Sequence, residues 1–326
     1  MRYGKRVALA LFALALVPGV SFAAEFRVLS SWDQTYLVRP KFLEVFLKNV
    51  EVASKGDMKF TISGPETVPP FEQLQPTGTG VFQLLLTHGA YHIGQTPYLT
   101  SAEGIGGDLK AWRDAGIREK IDAHYQKFGL KLVALGQTPP RTALHIMLRQ
   151  PIGPSGDLQG RKIRGTQTFN GVFQFLGASP VVLPGSEIYS ALEKGVVDGA
   201  GWPVIGMLDY RWYEVAKYIT RPRLGMLAYP IFFNLNAWNR LTPQQQKILL
   251  EESRKAEDAF YVEWVKLADE EAAKLAERGV KITEFSPDKQ EGLHKALSDT
   301  LFQMGMQYNP KEIGELRDFA KSKGLY

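Results

Sequence analysis

Cysteine is absent from the sequence. Disulfide scaffolds, cysteine nucleophiles, thiolate zinc sites and cysteine-ligated iron–sulfur clusters are therefore excluded. Histidine is scarce, with only His88, His92, His124, His145 and His294. His88 and His92 stand four apart, as in a helical metal pair, but no glutamate follows His88 and Gly89 lies between them. No third ligand is evident, so no metal is expected. There is no Gly-x-Ser-x-Gly elbow and no Walker loop, and Gly78-Thr79-Gly80 lacks the third glycine of a dinucleotide fingerprint. Acidic residues are plentiful, yet no pair is singled out for acid–base work. The sequence thus calls for no cofactor and presents no catalytic constellation.

Charge of one sign is also lacking. Lysine and arginine number 39 against 34 acidic residues, a formal charge of +5. The basic residues are scattered, which argues against a nucleic-acid stripe. Only one long apolar run occurs, Val7 to Val17, and it is shorter than the roughly 20 residues of a membrane span. Arg2, Lys5 and Arg6 precede it, and Ser21-Phe22-Ala23 follows with small residues at the outer positions. That order reads as a secretory signal peptide over residues 1–23, cut near Ala23. Removing Arg2, Lys5 and Arg6 takes the formal charge from +5 to +2. An exported, periplasmic protein that does not itself span the membrane is expected.

The 326 residues allow two domains. Glu25–Trp32, Lys59–Ser63, Lys131–Leu135, Thr142–Leu148, Pro180–Leu183 and Leu227–Leu235 read as strands. Helical spacing covers about Thr35 to Ala53, Phe71 to Leu86 and Ala102 to Phe128. Thr242-Pro243 is a helix cap, and no breaker follows until Glu277. A helix of that length spans roughly 50 Å, more than one small domain. Strands alternating with helices imply an α/β fold: two lobes, mainly parallel sheets, crossing strands and a long helix across both. The expected division is 24–141 for the first lobe, with 229–255 returning to it. The second is 142–228, with 280–326 packing on it and 242–278 spanning the two.

The most informative stretch begins at Asp157-Leu158-Gln159-Gly160-Arg161-Lys162-Ile163-Arg164. It continues through Leu176-Gly177-Ala178-Ser179-Pro180-Val181-Val182-Leu183-Pro184 and Glu187-Ile188-Tyr189-Ser190-Ala191-Leu192-Glu193-Lys194-Gly195-Val196-Val197-Asp198-Gly199. Glu214–Thr220 and Asn236–Pro243 follow. Together these resemble the solute-binding proteins of tripartite ATP-independent periplasmic (TRAP) transporters, over roughly residues 151–250. The resemblance implies a receptor rather than an enzyme. It would capture an organic acid between two lobes and deliver it to membrane permease subunits, with transport driven by an ion gradient.

Arg164 ends a strand before the Gly165-Thr166 turn, and its planar fork suits a carboxylate. The resemblance gives it the substrate carboxylate. Relatives carry a Glu-Asn-Pro-like triplet where this chain has Gly201-Trp202-Pro203. Trp202 offers a flat apolar face, which disfavours a heavily hydroxylated ligand and favours an aromatic or keto acid. A second ligand residue of relatives falls at Ala143 or Leu144, both apolar. Arg141 and His145 share the Ala143 face of a strand by alternation, so either can substitute. Trp32 and Tyr91 are expected to wall the cleft, and Gln167 to bond the same carboxylate. Phe169 and Phe232 read as core. The rival is a periplasmic enzyme acting on an organic acid, with His88, His92 or His145 as base. A receptor presenting a ligand to a signalling partner is the other alternative.

Overall fold

The computed structural model describes residues 24–326, so the expected signal peptide lies outside the described residues. Eleven strands form two sheets. The first has the order β2-β1-β3-β10-β4, with β1 Ala24–Ser30, β2 Met58–Ser63, β3 Leu84–Leu86, β4 Leu130–Gln137 and β10 Ala228–Asn234. The second has the order β11-β9-β5-β8-β6-β7. Its strands are β5 Leu144–Leu148, β6 Lys162–Gly165, β7 Ser179–Val182, β8 Gly199–Pro203, β9 Tyr218–Arg221 and β11 Lys281–Glu284. The helices before the second sheet are α1 Glu44–Ala53, α2 Leu74–Gly78, α3 Tyr98–Ala102, α4 Leu109–Ala115 and α5 Ile117–Gln126. Within it lie α6 Asn170–Phe175 and α7 Ile188–Glu193, and after β10 come α8 Leu235–Trp238, α9 Pro243–Glu277, α10 Pro287–Tyr308 and α11 Pro310–Ser322.

The fold is α/β and two-lobed, but each sheet is mixed rather than mainly parallel. β10 pairs antiparallel with β3 and β4, and β5 pairs antiparallel with β8 and β9. The reason is topological. The chain leaves the first sheet after β4, enters the second at β5, and returns from β9 to β10. The two crossings run alongside each other and are bonded: Thr138 N–H donates to Leu227 O at 3.0 Å, and Leu144 N–H to Leu224 O at 2.9 Å.

The stretch 71–86 departs from the expected helix. It holds only a short 3-10 turn and α2, and then Leu84-Leu85-Leu86 inserts as a strand between β1 and β10. A three-residue apolar run buried on both faces has no period that separates strand from helix. The placement of 280–326 also differs from expectation. α10 packs on both α3 and α6, and α11 packs on α3, in the first lobe. Ile313, Leu316 and Ala320 of α11 share a buried cluster with Leu99, Ile117 and Ile121.

α9 has 35 residues and is the frame of the molecule. Thr242 caps it through a reciprocal pair: Gln245 N–H donates to Thr242 Oγ1 at 3.2 Å, and Thr242 N–H donates to Gln245 Oε1 at 2.9 Å. Its buried stripe, Leu249, Ala256, Phe260, Trp264, Leu267 and Leu275 among others, follows helical spacing. Two buried glutamates clip it to the two lobes. Glu257 accepts Leu135 N–H of β4 at 2.7 Å and pairs with Arg113 at 2.7 Å and with Arg118. Fourteen residues on, about 21 Å along the axis, Glu271 accepts Gly206 N–H at 2.7 Å and Leu208 N–H at 2.9 Å. Gly206 has φ +105°, and a Cβ there would stand 2.9 Å from the Trp202 indole nitrogen, so the loop requires glycine.

Two outcomes follow from these clips. Glu257→Ala leaves the Leu135 amide without its acceptor and takes the buried carboxylate from Arg113 and Arg118. It should cost about 3–5 kcal/mol in the denaturant midpoint, as expected when a buried pair is broken. Burial pushes the Glu271 carboxyl up from 4.5 to about 7. The folded state then keeps a proton that the unfolded chain releases, so this group's contribution falls as pH rises from 4.5 to about 7. His92 and His145, pushed down by burial to about 3, act oppositely and cost stability as pH drops below 6.5. The melting-temperature difference between wild type and Glu271→Gln, scanned over pH 4–8, isolates the glutamate. It should shift in favour of the variant as pH rises, by up to about 3 kcal/mol.

Candidate functional site

Between the two sheets lies a cavity with about 60 Å³ of room for water-sized groups. A single water needs about 10–15 Å³, so the space takes a handful of non-hydrogen atoms. The second lobe supplies Arg164, Thr166, Thr168, Phe169, Gly201, Trp202 and Pro203. Trp32, Tyr36, His88, Tyr91 and Glu103 come from the first. The crossing segments add Leu144, Met226, Leu227 and Tyr229, and α10 closes one side with Leu297 and Leu301.

Arg164 sits near the end of β6, between Val181 of β7 and Ala200 of β8, and is 1% exposed. Its Nε donates to Leu183 O at 2.9 Å, Nη2 to the same oxygen at 2.6 Å, and Nη1 to Gly201 O at 3.2 Å. A guanidinium has five N–H donors, so one remains on each terminal nitrogen. Those two are what a carboxylate accepts in parallel. The guanidinium lies over the Trp202 ring, 5.3 Å from its centroid. Among the described residues no carboxylate comes within 4 Å of it. Burial pulls its pKa down from 12.5 to about 10, which still leaves it charged at neutral pH.

The remaining walls are aromatic. Trp32 packs on Tyr36, Tyr91 and Tyr229 with centroids 5.3–5.7 Å apart. Trp202 meets Tyr36 at 5.9 Å and Trp212 at 4.9 Å. Its indole N–H is buried without a partner. The Tyr36 and Tyr229 hydroxyls bond at 2.9 Å. One donates to the other, which leaves one phenolic proton for a guest. Burial holds all three tyrosines, 36, 91 and 229, above the ordinary phenol range, so they act as neutral donors. His88 Nε2 lies 2.8 Å from Glu103 Oε1.

Arg164, Trp202, Trp32 and Tyr91 therefore converge on one cavity. Three other expected residues do not. Gln167 is exposed in the 3-10 turn 167–169, while Thr166 and Thr168 on either side of it face inward, bonded at 2.7 Å. Arg141 precedes β5 rather than belonging to it. It has φ +60° and lines a neighbouring open cleft with His294 and Tyr326, which shares Glu103, Met226 and Leu297 with the cavity. His145 is buried opposite Trp202 in the β5–β8 pair, one strand farther from Arg164 and near Arg221 and Arg223. It does not border the cavity. Of the two candidates for the second ligand position, Leu144 is the lining residue. Phe169 lines the cavity instead of lying only in the core, whereas Phe232 is core. Of the proposed bases, His92 bonds Thr87 at 2.7 Å and does not reach the cavity. Among the described residues no cluster suits a metal ion.

Sequence reasoning missed Tyr36, Tyr229, Glu103 and the Thr166/Thr168 pair. One signal was available: Glu103 is the only charge in Tyr98–Ile105, and every residue of α3 just before it is buried.

The family model described as bacterial extracellular solute-binding protein, family 7 (DctP), matches residues 73–305. A monocarboxylate 2-oxoacid-binding periplasmic protein of Nostoc sp. is 27% identical over 296 residues, 84% of this chain and 77% of that one. A TRAP periplasmic solute binding protein from Desulfovibrio salexigens, solved with orotic acid, superposes with a TM-score of 0.80. It is 19% identical, and the match covers 92% of this chain and 98% of that one. Another from Ralstonia eutropha H16, solved with (S)-2-acetolactate, gives 0.77 at 17% identity, covering 92% and 100%. At that identity the structures speak for the fold, and the family match carries the assignment. This chain belongs to the bacterial extracellular solute-binding proteins of family 7, the TRAP-type receptors that hold a solute rather than convert it.

Proposed function

We propose that this protein is the exported receptor of a TRAP transporter, and that it captures a small monocarboxylic acid between its lobes and delivers it to membrane permease subunits. The observation that carries the reading is the buried guanidinium of Arg164, which has no acidic partner within the described residues and two N–H groups to spare. Burying an unpaired charge is costly, and a bound carboxylate offsets that cost. Trp202, Trp32 and Tyr91 enclose the body of the ligand. The small volume and aromatic walls favour a compact acid over a sugar acid. The ligands of the relatives support the class: orotic acid and (S)-2-acetolactate are carboxylic acids, and the Nostoc protein is named for 2-oxoacids.

The lobes in this reading are about 24–141 with 229–255, and about 142–228, and they close about the paired crossings at 138–144 and 224–227. Residues 1–23 are the export signal, and the periplasm is the site of action. No ATPase is a partner, because an ion gradient drives this transport class.

The test is thermal unfolding of the mature protein, refolded free of carried-over ligand, against a panel of organic acids. A ligand at 100–1,000 times its Kd should stabilise by about 2.7–4.1 kcal/mol. At about 2–4 °C per kcal/mol that is a shift of several degrees. A micromolar ligand is held by about 8 kcal/mol, and removing one member of a buried ion pair costs about 3–5 kcal/mol. Arg164→Ala should therefore weaken binding at least about a hundredfold by calorimetry. A loss below about threefold, with the melting curve still cooperative, would overturn the anchor.

A further inference from the structure

Glu103 is a second buried charge in the same cavity. It is 8% exposed, follows the fully buried α3, and stands between the chamber that holds Arg164 and the open cleft of Arg141 and His294, lining both. Its Oε1 accepts Ala228 N–H at 2.8 Å and lies 2.8 Å from His88 Nε2. The His88 ring is oriented by its other nitrogen: Ala90 N–H donates to Nδ1 at 3.2 Å. A nitrogen that accepts carries no proton, so Nε2 bears the ring hydrogen and donates to Glu103. His88 therefore supplies Glu103 with one N–H, to Oε1, and none to the second oxygen. The second oxygen, Oε2, makes no hydrogen bond among the described residues. Arg164 does not cancel the Glu103 charge, because no Arg164 nitrogen comes within 4 Å of it.

One small chamber thus holds a cation and an anion that do not meet. A carboxylic acid seated on Arg164 leaves Oε2 of Glu103 as an acceptor without a donor. An oxo group would present a second acceptor there, and a second carboxylate would present a like charge. An amino or hydroxyl group would present the missing donor. Resting on the receptor reading above, we infer that the solute is a monocarboxylic acid bearing an N–H or O–H donor, read by Glu103, and that plain oxo acids and dicarboxylates are rejected. Sites built to bond a polar group discriminate strongly against analogues that lack it, since the buried partner is left unpaired.

The test uses matched acids on one carbon skeleton, titrated calorimetrically into the mature protein. The three-carbon series is pyruvate, both lactates, both alanines and malonate; the branched five-carbon series is 2-oxoisovalerate, 2-hydroxyisovalerate and valine. The acid selected by the thermal panel is added with its oxo analogue. In each series that binds, the hydroxy or amino member should bind at least about tenfold more tightly than the oxo member, and malonate should bind weakest. Glu103→Gln keeps the shape and leaves an oxygen for Ala228 and His88, but replaces the acceptor Oε2 by an amide N–H₂. It should bring the ratio to about one or invert it in favour of the oxo acid, with the melting temperature within a few degrees of wild type. Equal binding of oxo and hydroxy members by wild type, or an unchanged ratio in Glu103→Gln, would overturn the donor requirement while leaving the receptor reading intact. Failure of every carboxylate to bind would overturn both. Should Glu103→Gln unfold, the wild-type ratios alone decide.

Discussion

A guanidinium that is almost wholly buried and has no acid beside it sets the terms for this molecule. The charge cannot be dropped, since even the lowered pKa of Arg164, about 10, keeps it protonated at neutral pH. It is therefore held by dipoles. Leu183 and Gly201 supply carbonyl oxygens, and the Trp202 ring supplies a quadrupole face. Each of these constrains its neighbours. Gly201 admits no side chain, because a Cβ would stand 2.7 Å from the Phe169 ring. Phe169 in turn closes the chamber beside Thr168. The sequence Gly201-Trp202-Pro203 is thus an arginine cradle.

The cradle is useful only if the opposite wall stands at a fixed distance, and α9 supplies that distance. Its two buried glutamates do unlike jobs. Glu257 is a charged clip, saturated by two arginines and an amide in the first lobe. Glu271 meets only backbone amides in the second lobe, and burial keeps its proton on to about pH 7. The loop it holds, 206–208, lies behind Trp202. The two crossings instead join the lobes through a few backbone bonds, and a single pair of strands bends more readily than a packed helix. Opening about the crossings, with α9 as the strut, is the motion that such a frame permits.

Much of this was legible in the chain. The cap at Thr242-Pro243 and the uninterrupted apolar spacing after it marked α9 to within a residue. Lys162-Ile163-Arg164-Gly165 marked a strand end with an arginine at its tip. What failed did so for local reasons. Alternation along a strand was extended one residue too far at Arg141, whose left-handed backbone places it outside β5. The 3-10 turn after β6 leaves Gln167 exposed while Thr166 and Thr168 line the cavity, and nothing in the residues marked where the strand gave way to that turn. His145 shares a sheet face with Trp202, but a face is wider than a site, and one strand's width separates contact from burial. Tyr36, Tyr229 and Glu103 are far apart in sequence and meet only once the two sheets pack, so only the isolation of Glu103 within a buried stretch gave any sign of it.

The division of labour in the chamber follows from what each wall can distinguish. Every organic acid has a carboxylate, so in the proposed reading Arg164 provides affinity and almost no choice. Apolar walls choose weakly as well, since one methylene more or less changes binding by only about 1–3 kcal/mol. Selectivity must come from polar groups that some acids satisfy and others leave stranded. The Tyr36–Tyr229 pair offers one donor, and Glu103 offers one acceptor. These three groups sit in the first lobe or on the crossing strand, opposite the anchor. A ligand loosely held by Arg164 in an open cleft meets them only as the lobes approach. On the proposed reading, recognition of the common group and discrimination among its bearers fall to different lobes, and closure is the step at which the solute is tested.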